Sequence, residues 1–166
     1  LGTNKARAPK GAIGVYDLKG RMLQLIANID QPNNIDVAYG FALGRERIDI
    51  AVATERYASR LRIFRIDPTR RRLVDITDPE SAKVFAGETE ERAMPMGIAL
   101  YQAERGEVHA IVSRKSGPKQ GYLHQYRLVP TRNGRVGVQL LRAFGAFSGE
   151  GEIEAVCVDS ELGYVY

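Results

Sequence analysis

Three cationic side chains recur at one position of an internal repeat. Lys5, Arg56 and Lys115 each end a short run that begins with threonine or serine, and they lie between fifty and sixty residues apart. Long cationic side chains form charge-assisted hydrogen bonds to phosphoryl oxygens. If successive repeats face the same way, the three cations converge on one rim of the molecule. This spacing therefore predicts a site for a ligand that carries several phosphates.

The overall charge allows other interpretations of these cations. The chain contains 24 Lys and Arg residues and has a formal net charge of +4, which favours anionic partners in general. Strand ends often carry charged residues, so a solvated basic surface is the simplest alternative. Nucleic-acid binding ranks third, because the sequence has neither interleaved aromatic residues nor the pattern of a recognition helix.

A second repeated position carries oxygen ligands. Asp36, Met96 and Glu154 each lie where the first strand of a hairpin is predicted to begin. The carboxylates of Asp36 and Glu154 are hard ligands of the kind that Ca²⁺ prefers. Two carboxylates do not fill a shell of roughly six to eight oxygens, so further ligands are required. As isolated acids, the two residues are alternatively ordinary turn residues.

The elements that position these side chains are short β-strands. Apolar and polar residues alternate in several runs, which are separated by Gly, Asp and Pro turns. Residues 77–93 are polar and predict a long loop between structural units. Many short, evenly spaced strands favour an all-β sandwich, barrel or propeller. The predicted strands cover residues 12–16, 22–26, 48–54, 61–66, 96–102, 108–113, 122–128, 136–143 and 153–158.

The repeat favours the propeller among these folds. Tyr16, Phe64 and Tyr126 lie in equivalent strands that are each followed by a turn and a second strand. A second hairpin, residues 97–109, recurs at residues 155–166. Four strands in each unit of about 50 to 60 residues correspond to a propeller blade. The sequence thus predicts one partial β-propeller domain over residues 1–166, with about three blades and no separate second domain.

Other features narrow the class of protein. No apolar run approaches the roughly 20 residues that a membrane-spanning helix requires. The two histidines and the single cysteine make a structural zinc site improbable, and Cys157, in an apolar run, is predicted to be buried. The chain begins without Met or the pattern of a signal peptide, which suggests processing or an internal segment of a longer protein.

Several motifs together resemble the β-propeller phytases, the alkaline, calcium-dependent 3-phytase family. The similarity follows the order of the chain over nearly its whole length, and it is the order and spacing of the motifs that are specific. The motifs are Asn4-Lys5, residues 14–23, Asn33-Asn34-Ile35-Asp36, residues 49–53 with Arg56, residues 97–101, Ser113-Arg114-Lys115, residues 125–128, Ile153-Glu154-Ala155 and residues 159–163.

The resemblance implies a six-bladed propeller that binds several Ca²⁺ ions and hydrolyses phytate through a metal-activated water, of which this chain covers roughly half. By this resemblance Lys5, Arg56 and Lys115 bind substrate phosphates, and Arg56 and Lys115 act with Glu154 in catalysis. Glu154 also ligands the catalytic Ca²⁺ ions, and the loop that contains Ile35 and Asp36 lies at another calcium site. The resemblance further implies calcium phytate as substrate, an exported, extracellular or periplasmic protein, a monomer at full length, and no nucleic-acid or membrane partner.

Three residues depart from the family pattern. Met96 replaces the usual Tyr, Ser116 stands where relatives often carry a carboxylate, and Ala155 replaces a Gly. Thioether sulfur is a poor ligand for Ca²⁺ and cannot donate a hydrogen bond to phosphate. Two hypotheses therefore stay open: a calcium-dependent phytase, or a weakened or inactive propeller that binds anionic ligands or protein partners.

Overall fold

The computed structural model describes residues 1–103, 106–146 and 152–166, which form an all-β fold. The hairpin predicted at residues 97–109 is present as the β8–β9 pair, and residues 104 and 105 lie outside the described residues. The strands are β1 (Gly2–Asn4), β2 (Ala12–Tyr16), β3 (Met22–Ala27), β4 (Pro32–Leu43), β5 (Glu46–Glu55), β6 (Arg60–Asp67), β7 (Arg72–Asp75), β8 (Pro95–Gln102), β9 (Val108–Arg114), β10 (Gln120–Pro130), β11 (Val136–Ala146), β12 (Val158–Asp159) and β13 (Tyr164–Val165).

The strands form four antiparallel sheets in chain order. Strands β4 to β7 make one four-stranded sheet and β8 to β11 make another, each with sequential neighbours. Strands β1 to β3 form a three-stranded sheet, and β12 pairs with β13. These are two complete blades, here called blades 2 and 3, with parts of blades 1 and 4 on either side. The prediction of an all-β partial propeller with about three blades is confirmed.

Strand pairing shows which residues are equivalent between blades. Lys5, Arg56 and Lys115 each come directly after the strand that hydrogen bonds to the aromatic-containing strand, namely β1, β5 and β9. Phe64 is fully buried in β6, whereas its counterpart Tyr16 is 45% exposed. The predicted equivalence of the three cations is therefore confirmed by the register of the sheets.

Two apolar cores hold the blades against each other. The first lies between blades 1 and 2 and includes Ile13, Ile29 and Phe64. The second joins blade 2 to blade 3 and includes Phe85 and Tyr126. Full burial of each such side chain stabilises the fold by about 1.5–3 kcal/mol relative to exposure. The cores therefore fix how one blade sits on the next.

Two connectors lead from one blade into the next. The first connector, residues 28–31, joins β3 to β4, and the second connector, residues 76–94, joins β7 to β8. The second connector is strand-poor, as predicted, with a short 3-10 turn at Glu90–Ala93. It nevertheless places Ala82, Val84 and Phe85 in the core. The connector is therefore the loop between units that was predicted, and part of it packs in the core between the blades.

Hydroxyl side chains link each blade to the next at one repeated position. Thr3 Oγ1 donates to the main-chain oxygen of Asn33 at 2.9 Å, and Thr54 Oγ1 donates to that of Met96 at 2.8 Å. Ser113 Oγ makes the same bond to Ile153 at 2.6 Å. Each hydroxyl lies two residues before one of the three cations. These bonds therefore fix the cations relative to the start of the following blade.

Several sequence predictions were wrong in detail. The segment Asn34–Asp36, expected to be a loop, lies inside β4, and β7 was not predicted. The strand predicted at residues 153–158 is reduced to the two residues of β12. Cys157 is exposed. The last two differences share a cause, because within the described residues the β12–β13 hairpin pairs with no further strand, and an isolated hairpin is marginal.

Candidate functional site

One carboxylate lies between two of the predicted cations. Lys5 Nζ is 3.3 Å from Glu154 Oε2, and Arg56 Nη2 is 3.8 Å from Glu154 Oε1. Lys5 follows β1 of blade 1, Arg56 follows β5 of blade 2, and Glu154 precedes the β12–β13 hairpin. The structure therefore brings together three predicted site residues from three different blades.

Two asparagines at the start of β4 hold this carboxylate in place. Asn33 Nδ2 donates to Glu154 Oε2 at 3.3 Å, and Asn34 Nδ2 donates to the main-chain oxygen of Glu154. Asn33 is almost completely buried. Both residues belong to a motif that carries the resemblance. Asn34 was expected only as part of a loop near a calcium site, and Asn33 had no predicted role. The shared pattern Pro-x-x-Ile at the starts of β4 and β8 is the signal that could have identified Asn33 as a site residue.

The predicted equivalence of Asp36 and Met96 is wrong. Pro32 pairs with Glu55 and Pro95 pairs with Arg114, so Met96 is level with Asn33. Asp36 lies three residues further along β4. The hydroxyl bonds of Thr54 and Ser113 likewise make Ile153, not Glu154, the counterpart of Met96. The prediction failed because it relied on nearly equal spacings of 60 and 58 residues, whereas Asn33 and Met96 are 63 residues apart.

Met96 is fully buried beside the cations. Its Sδ atom accepts a hydrogen bond from Arg56 Nη2 at 2.8 Å, and Asn33 Nδ2 lies 3.9 Å from the same sulfur. The thioether therefore fixes the orientation of the Arg56 guanidinium through this hydrogen bond. It cannot donate a hydrogen bond to a ligand oxygen, so this part of the site offers sulfur as an acceptor only.

Lys115 lies with a different pair of carboxylates. Its Nζ atom is 3.2 Å from Glu152 Oε2 and 4.0 Å from Glu91 Oε1. Glu91 belongs to the 3-10 turn of the second connector. The backbone is also held, because Met94 O accepts the Lys115 N–H at 2.9 Å. Neither carboxylate was predicted as a site residue, and Glu91 lies in a segment that was predicted only to be a loop.

Two buried atoms at the site have unmet hydrogen-bonding capacity. Within the part of the chain that the structure describes, neither Asn33 Oδ1 nor Arg56 Nε has a hydrogen-bond partner. An unsatisfied buried polar group costs about 1–3 kcal/mol. The Arg56 N–H can donate to an anionic oxygen, whereas the Asn33 oxygen can accept from a donor or ligand a cation. Both atoms therefore favour occupation of the site by a ligand.

The residues present do not fit a complete calcium site. No group of three or more His, Cys, Asp or Glu residues is arranged to hold a metal among residues 1–103, 106–146 and 152–166. Asp36 uses its oxygens within the protein, accepting from Leu100 N at 2.7 Å and from Val37 N at 2.8 Å. Ile35 pairs with Ala53 in the sheet. Glu154 and the Asn33 Oδ1 atom are the oxygen ligands best placed to contribute to such a shell.

A cleft of about 670 Å³ opens beside these residues. It is lined by the inner strands β4 and β8 and by the segment that leads into β12. Asn33 and Asp36 contribute polar groups to its wall, and the exposed Cys157 also lines it. Asn33, which donates to Glu154, connects the cleft to the predicted site residues.

Comparison with known proteins assigns the family. The family model described as Phytase matches residues 1–166, the whole chain. The chain belongs to the phytase family. It is 32% identical over 167 residues to the 3-phytase of Bacillus subtilis (strain 168), an alignment that covers 99% of this phytase chain and 39% of the relative. The chain thus spans about two fifths of the length of that relative, and the resemblance seen in the sequence is confirmed.

The described residues of this chain include no helix long and apolar enough to cross a membrane.

Proposed function

We propose that this chain is part of an enzyme that releases phosphate from phytate, myo-inositol hexakisphosphate. Membership of the phytase family and similarity to a protein named 3-phytase support a phosphomonoester hydrolase. The function belongs to the whole protein, of which this chain supplies one part of the site. Export from the cell and a monomeric state at full length stay predictions from the family resemblance.

The observation that carries the proposal is the arrangement of three cations at one end of successive blades. Lys5, Arg56 and Lys115 occupy the same position in their blades, and each lies beside carboxylates from another part of the chain. Phytate carries phosphates on neighbouring ring carbons. Cations on adjacent blades can each bind a different phosphate and so fix the orientation of the ring.

Arg56 is the residue best placed to bind a phosphate. Its side chain is only 11% exposed, which reduces the loss of conformational freedom on binding. Its Nη2 atom is held by Met96, and its Nε–H has no partner within the described residues. A planar guanidinium binds phosphoryl oxygens through two parallel hydrogen bonds. Arg56 is therefore proposed to position the phosphate, with Lys5 and Lys115 on either side.

The carboxylates of the site raise an electrostatic problem that a divalent cation would solve. Glu154 and Glu152 lie beside the proposed phosphate-binding cations, and a polyanionic substrate is repelled by them. Ca²⁺, when bound, would neutralise this repulsion and supply Lewis-acid chemistry. Calcium dependence is thus part of the proposal. Glu154 and Asn33 would give two of the ligands, while the others come from the remainder of the protein and the substrate.

A second candidate function is anion binding without catalysis. The Met96 sulfur occupies an acceptor position against Arg56 and brings no donor to the site. If a donor from that position is required for turnover, the propeller would retain phosphate affinity and lose hydrolysis. This alternative involves the same residues as the first. The two differ in whether the full-length protein releases phosphate from phytate.

The test is phosphate release from phytate by the full-length protein, with Ca²⁺ and again with excess chelator. The phytase proposal expects release that requires calcium and that falls on the order of 100-fold in Arg56→Ala and Lys115→Ala. Arg65→Ala is the matched control, because Arg65 lies in the same blade and pairs with Glu46 at 2.8 Å, away from the site. Absence of release by folded protein that still binds phytate would favour the second candidate.

A further inference from the structure

The residue immediately before each of two site cations is a buried charge. Glu55 precedes Arg56 and is 2% exposed, and Arg114 precedes Lys115 and is 1% exposed. Burying a charge is unfavourable unless partners compensate it. The two charges have opposite sign although they occupy the same position of their blades. The residue before the cation therefore holds neighbouring segments through its charge in both blades. Whether that charge is negative or positive depends on the partners that each blade supplies.

Arg114 anchors the second connector to blade 3. Its Nη1 atom donates to Glu88 Oε1 at 2.9 Å, and its guanidinium carbon lies 4.3 Å from the centre of the Phe85 ring. Both partners belong to the second connector. On the other side, Arg114 Nε donates to the main-chain oxygen of Tyr122 at 3.1 Å, and Nη2 lies 2.7 Å from His124 Nε2. One side chain thus ties residues 85–88 to strand β10.

Glu55 does the same for the first connector and blade 2. Its Oε1 atom accepts the main-chain N–H of Asp30 at 2.7 Å, and Asp30 lies in the first connector. Its Oε2 atom accepts from Arg60 Nε at 2.6 Å and lies 3.5 Å from Arg62 Nη1. Arg60 and Arg62 belong to β6. Glu55 therefore ties its connector to the third strand of its own blade.

The anchored connectors in turn hold the backbone of the cations. The main-chain oxygen of Gln31 in the first connector accepts the Arg56 N–H at 3.2 Å. In the second connector, that of Met94 accepts the Lys115 N–H at 2.9 Å. Each cation is therefore fixed through the connector that leads into its own blade.

We propose that Glu55 and Arg114 are positioning residues, each of which holds the phosphate-binding cation that follows it by locking the connector into its blade. Neither residue contacts substrate in this role. The arrangement is modular, so loss of one anchor loosens one cation and leaves the other in place. The expected change in phosphate binding rests on the proposed function. The expected change in the order of the backbone at Arg56 and Lys115 does not depend on that function.

The experiment measures hydrogen exchange at the two cations in the full-length protein. Arg114→Met is expected to raise the exchange rate of the Lys115 amide at least tenfold and to leave the Arg56 amide unchanged. Glu55→Gln is expected to do the reverse. The control is Arg127→Gln, which removes an ion pair to Glu107 of 2.9 Å elsewhere in blade 3 and should change neither amide. If Arg114→Met fails to fold, Glu88→Gln removes the charge of its partner while keeping an acceptor.

A kinetic readout separates positioning from general destabilisation. Arg114→Met is expected to raise the KM for phytate five- to tenfold with kcat within twofold, as loss of uniform binding does. Arg114→Lys, which keeps the charge, should recover part of the lost affinity. Three results would overturn the proposal. Arg114→Met could raise exchange equally at Arg56 and Lys115, or the control variant could raise it as well. The third is an unchanged KM in a variant whose Lys115 amide exchanges faster. If each variant raises exchange only at its own cation but the protein releases no phosphate, the positioning role stands and only the phytase function is rejected.

Discussion

Lys5 and Glu154 lie 149 residues apart in the chain and form an ion pair, with Lys5 Nζ 3.3 Å from Glu154 Oε2. Their side chains are 46% and 48% exposed, so the pair itself contributes at most about 1 kcal/mol to stability. Its importance lies in position. Because Arg56 lies on the other oxygen of the same carboxylate, Glu154 neutralises cations from blades 1 and 2 while no phosphate is bound.

Glu154→Gln is predicted to have opposite effects on phosphate binding and on catalysis. Removing the negative charge frees Lys5 and Arg56, so affinity for inorganic phosphate without calcium should rise about three- to tenfold. Release of phosphate from phytate with calcium should fall on the order of 100-fold, because the anionic carboxylate proposed to ligand Ca²⁺ is replaced by a neutral amide, which binds the ion more weakly. Binding isotherms and phosphate release by the full-length protein measure the two effects.

The control for this change is Glu161→Gln, an exposed acid in the turn of the β12–β13 hairpin. It carries the same change of charge and should alter neither quantity by more than about twofold, because exposed charges are screened by solvent and salt. If Glu154→Gln lowers phosphate affinity without calcium, the carboxylate does not compete with phosphate for the cations.

Met96 is predicted to limit turnover. Met96→Tyr introduces a phenol that can donate to a phosphate oxygen, and kcat for phytate should rise if the remaining site is intact. The position is fully buried, so overpacking is expected to destabilise the protein by about 1–3 kcal/mol. Turnover and the urea midpoint of the full-length protein are measured together.

Met96→Leu is the matched control, because it keeps the approximate volume of the side chain and brings neither sulfur nor a phenol. It should cost less than about 1.5 kcal/mol of stability and should not raise turnover, because it adds no donor and removes the acceptor that orients Arg56. A Tyr variant that folds and is no more active than the parent would mean that the missing phenol is not what limits this site.

The sequence allowed the cations and Glu154 to be predicted as site residues, but not Asn33 or the carboxylates of Glu91 and Glu152. Lys5, Arg56 and Lys115 recur with the period of the blade and follow strand-forming runs, so their shared position could be read from spacing. Asn33 could be identified only from the Pro-x-x-Ile pattern that β4 shares with β8, because Pro and Asn are poor strand formers and β4 exists there through its pairing with β5. Glu91 lies in a connector, whose course depends on packing between blades.

Register could be predicted less well than the strands themselves. The interpretation that put Asp36 level with Met96 failed because it relied on spacing along the chain, which differs between blades. Asn33 and Met96 are 63 residues apart, whereas Met96 and its counterpart Ile153 are 57 apart. A shift of one residue reverses the face on which a side chain lies, and a local sequence pattern does not record it. The ion pair of Lys5 with Glu154 is likewise a product of blade stacking, which no spacing along the chain specifies.

Thr54→Val is predicted to loosen blade 2 from blade 3. Thr54 is fully buried, and its Oγ1 atom donates to Met96 O at 2.8 Å and accepts from Asn34 N at 3.1 Å. Valine keeps the shape of the side chain and leaves both backbone groups unsatisfied, so a loss of about 1–3 kcal/mol is expected. Urea unfolding of the full-length protein measures it.

Thr54→Ser tests the cause of that loss, because serine keeps the hydroxyl and removes a methyl group. It should retain more stability than the Val variant. Thr69→Val, at an exposed turn of blade 2, controls for the substitution itself and should change stability by less than about 0.5 kcal/mol. A Val variant as stable as the parent would show that the hydroxyl contributes no net stability.

Acid is predicted to lower the folding stability of the protein through His124. Burial lowers the pKa of His124 from its usual value of 6.5 to about 4, and the nearby positive charge of Arg114 acts in the same direction. In the unfolded chain His124 takes up a proton as the pH falls below about 6.5, whereas in the folded protein it stays neutral until about pH 4. The unfolded state therefore binds more protons in this window, and folding stability decreases as the pH falls through it.

His124→Gln removes this titration while keeping a polar side chain. The free energy of unfolding of the full-length protein is measured at pH 7, 5.5 and 4 for parent and variant. The variant should be the less stable protein at pH 7, since His124 accepts from Arg114 and contacts Tyr126. The difference should narrow by about 1–3 kcal/mol toward pH 4, because the parent alone loses the contribution of His124. A difference that stays constant with pH would show that His124 titrates alike in the folded and unfolded states.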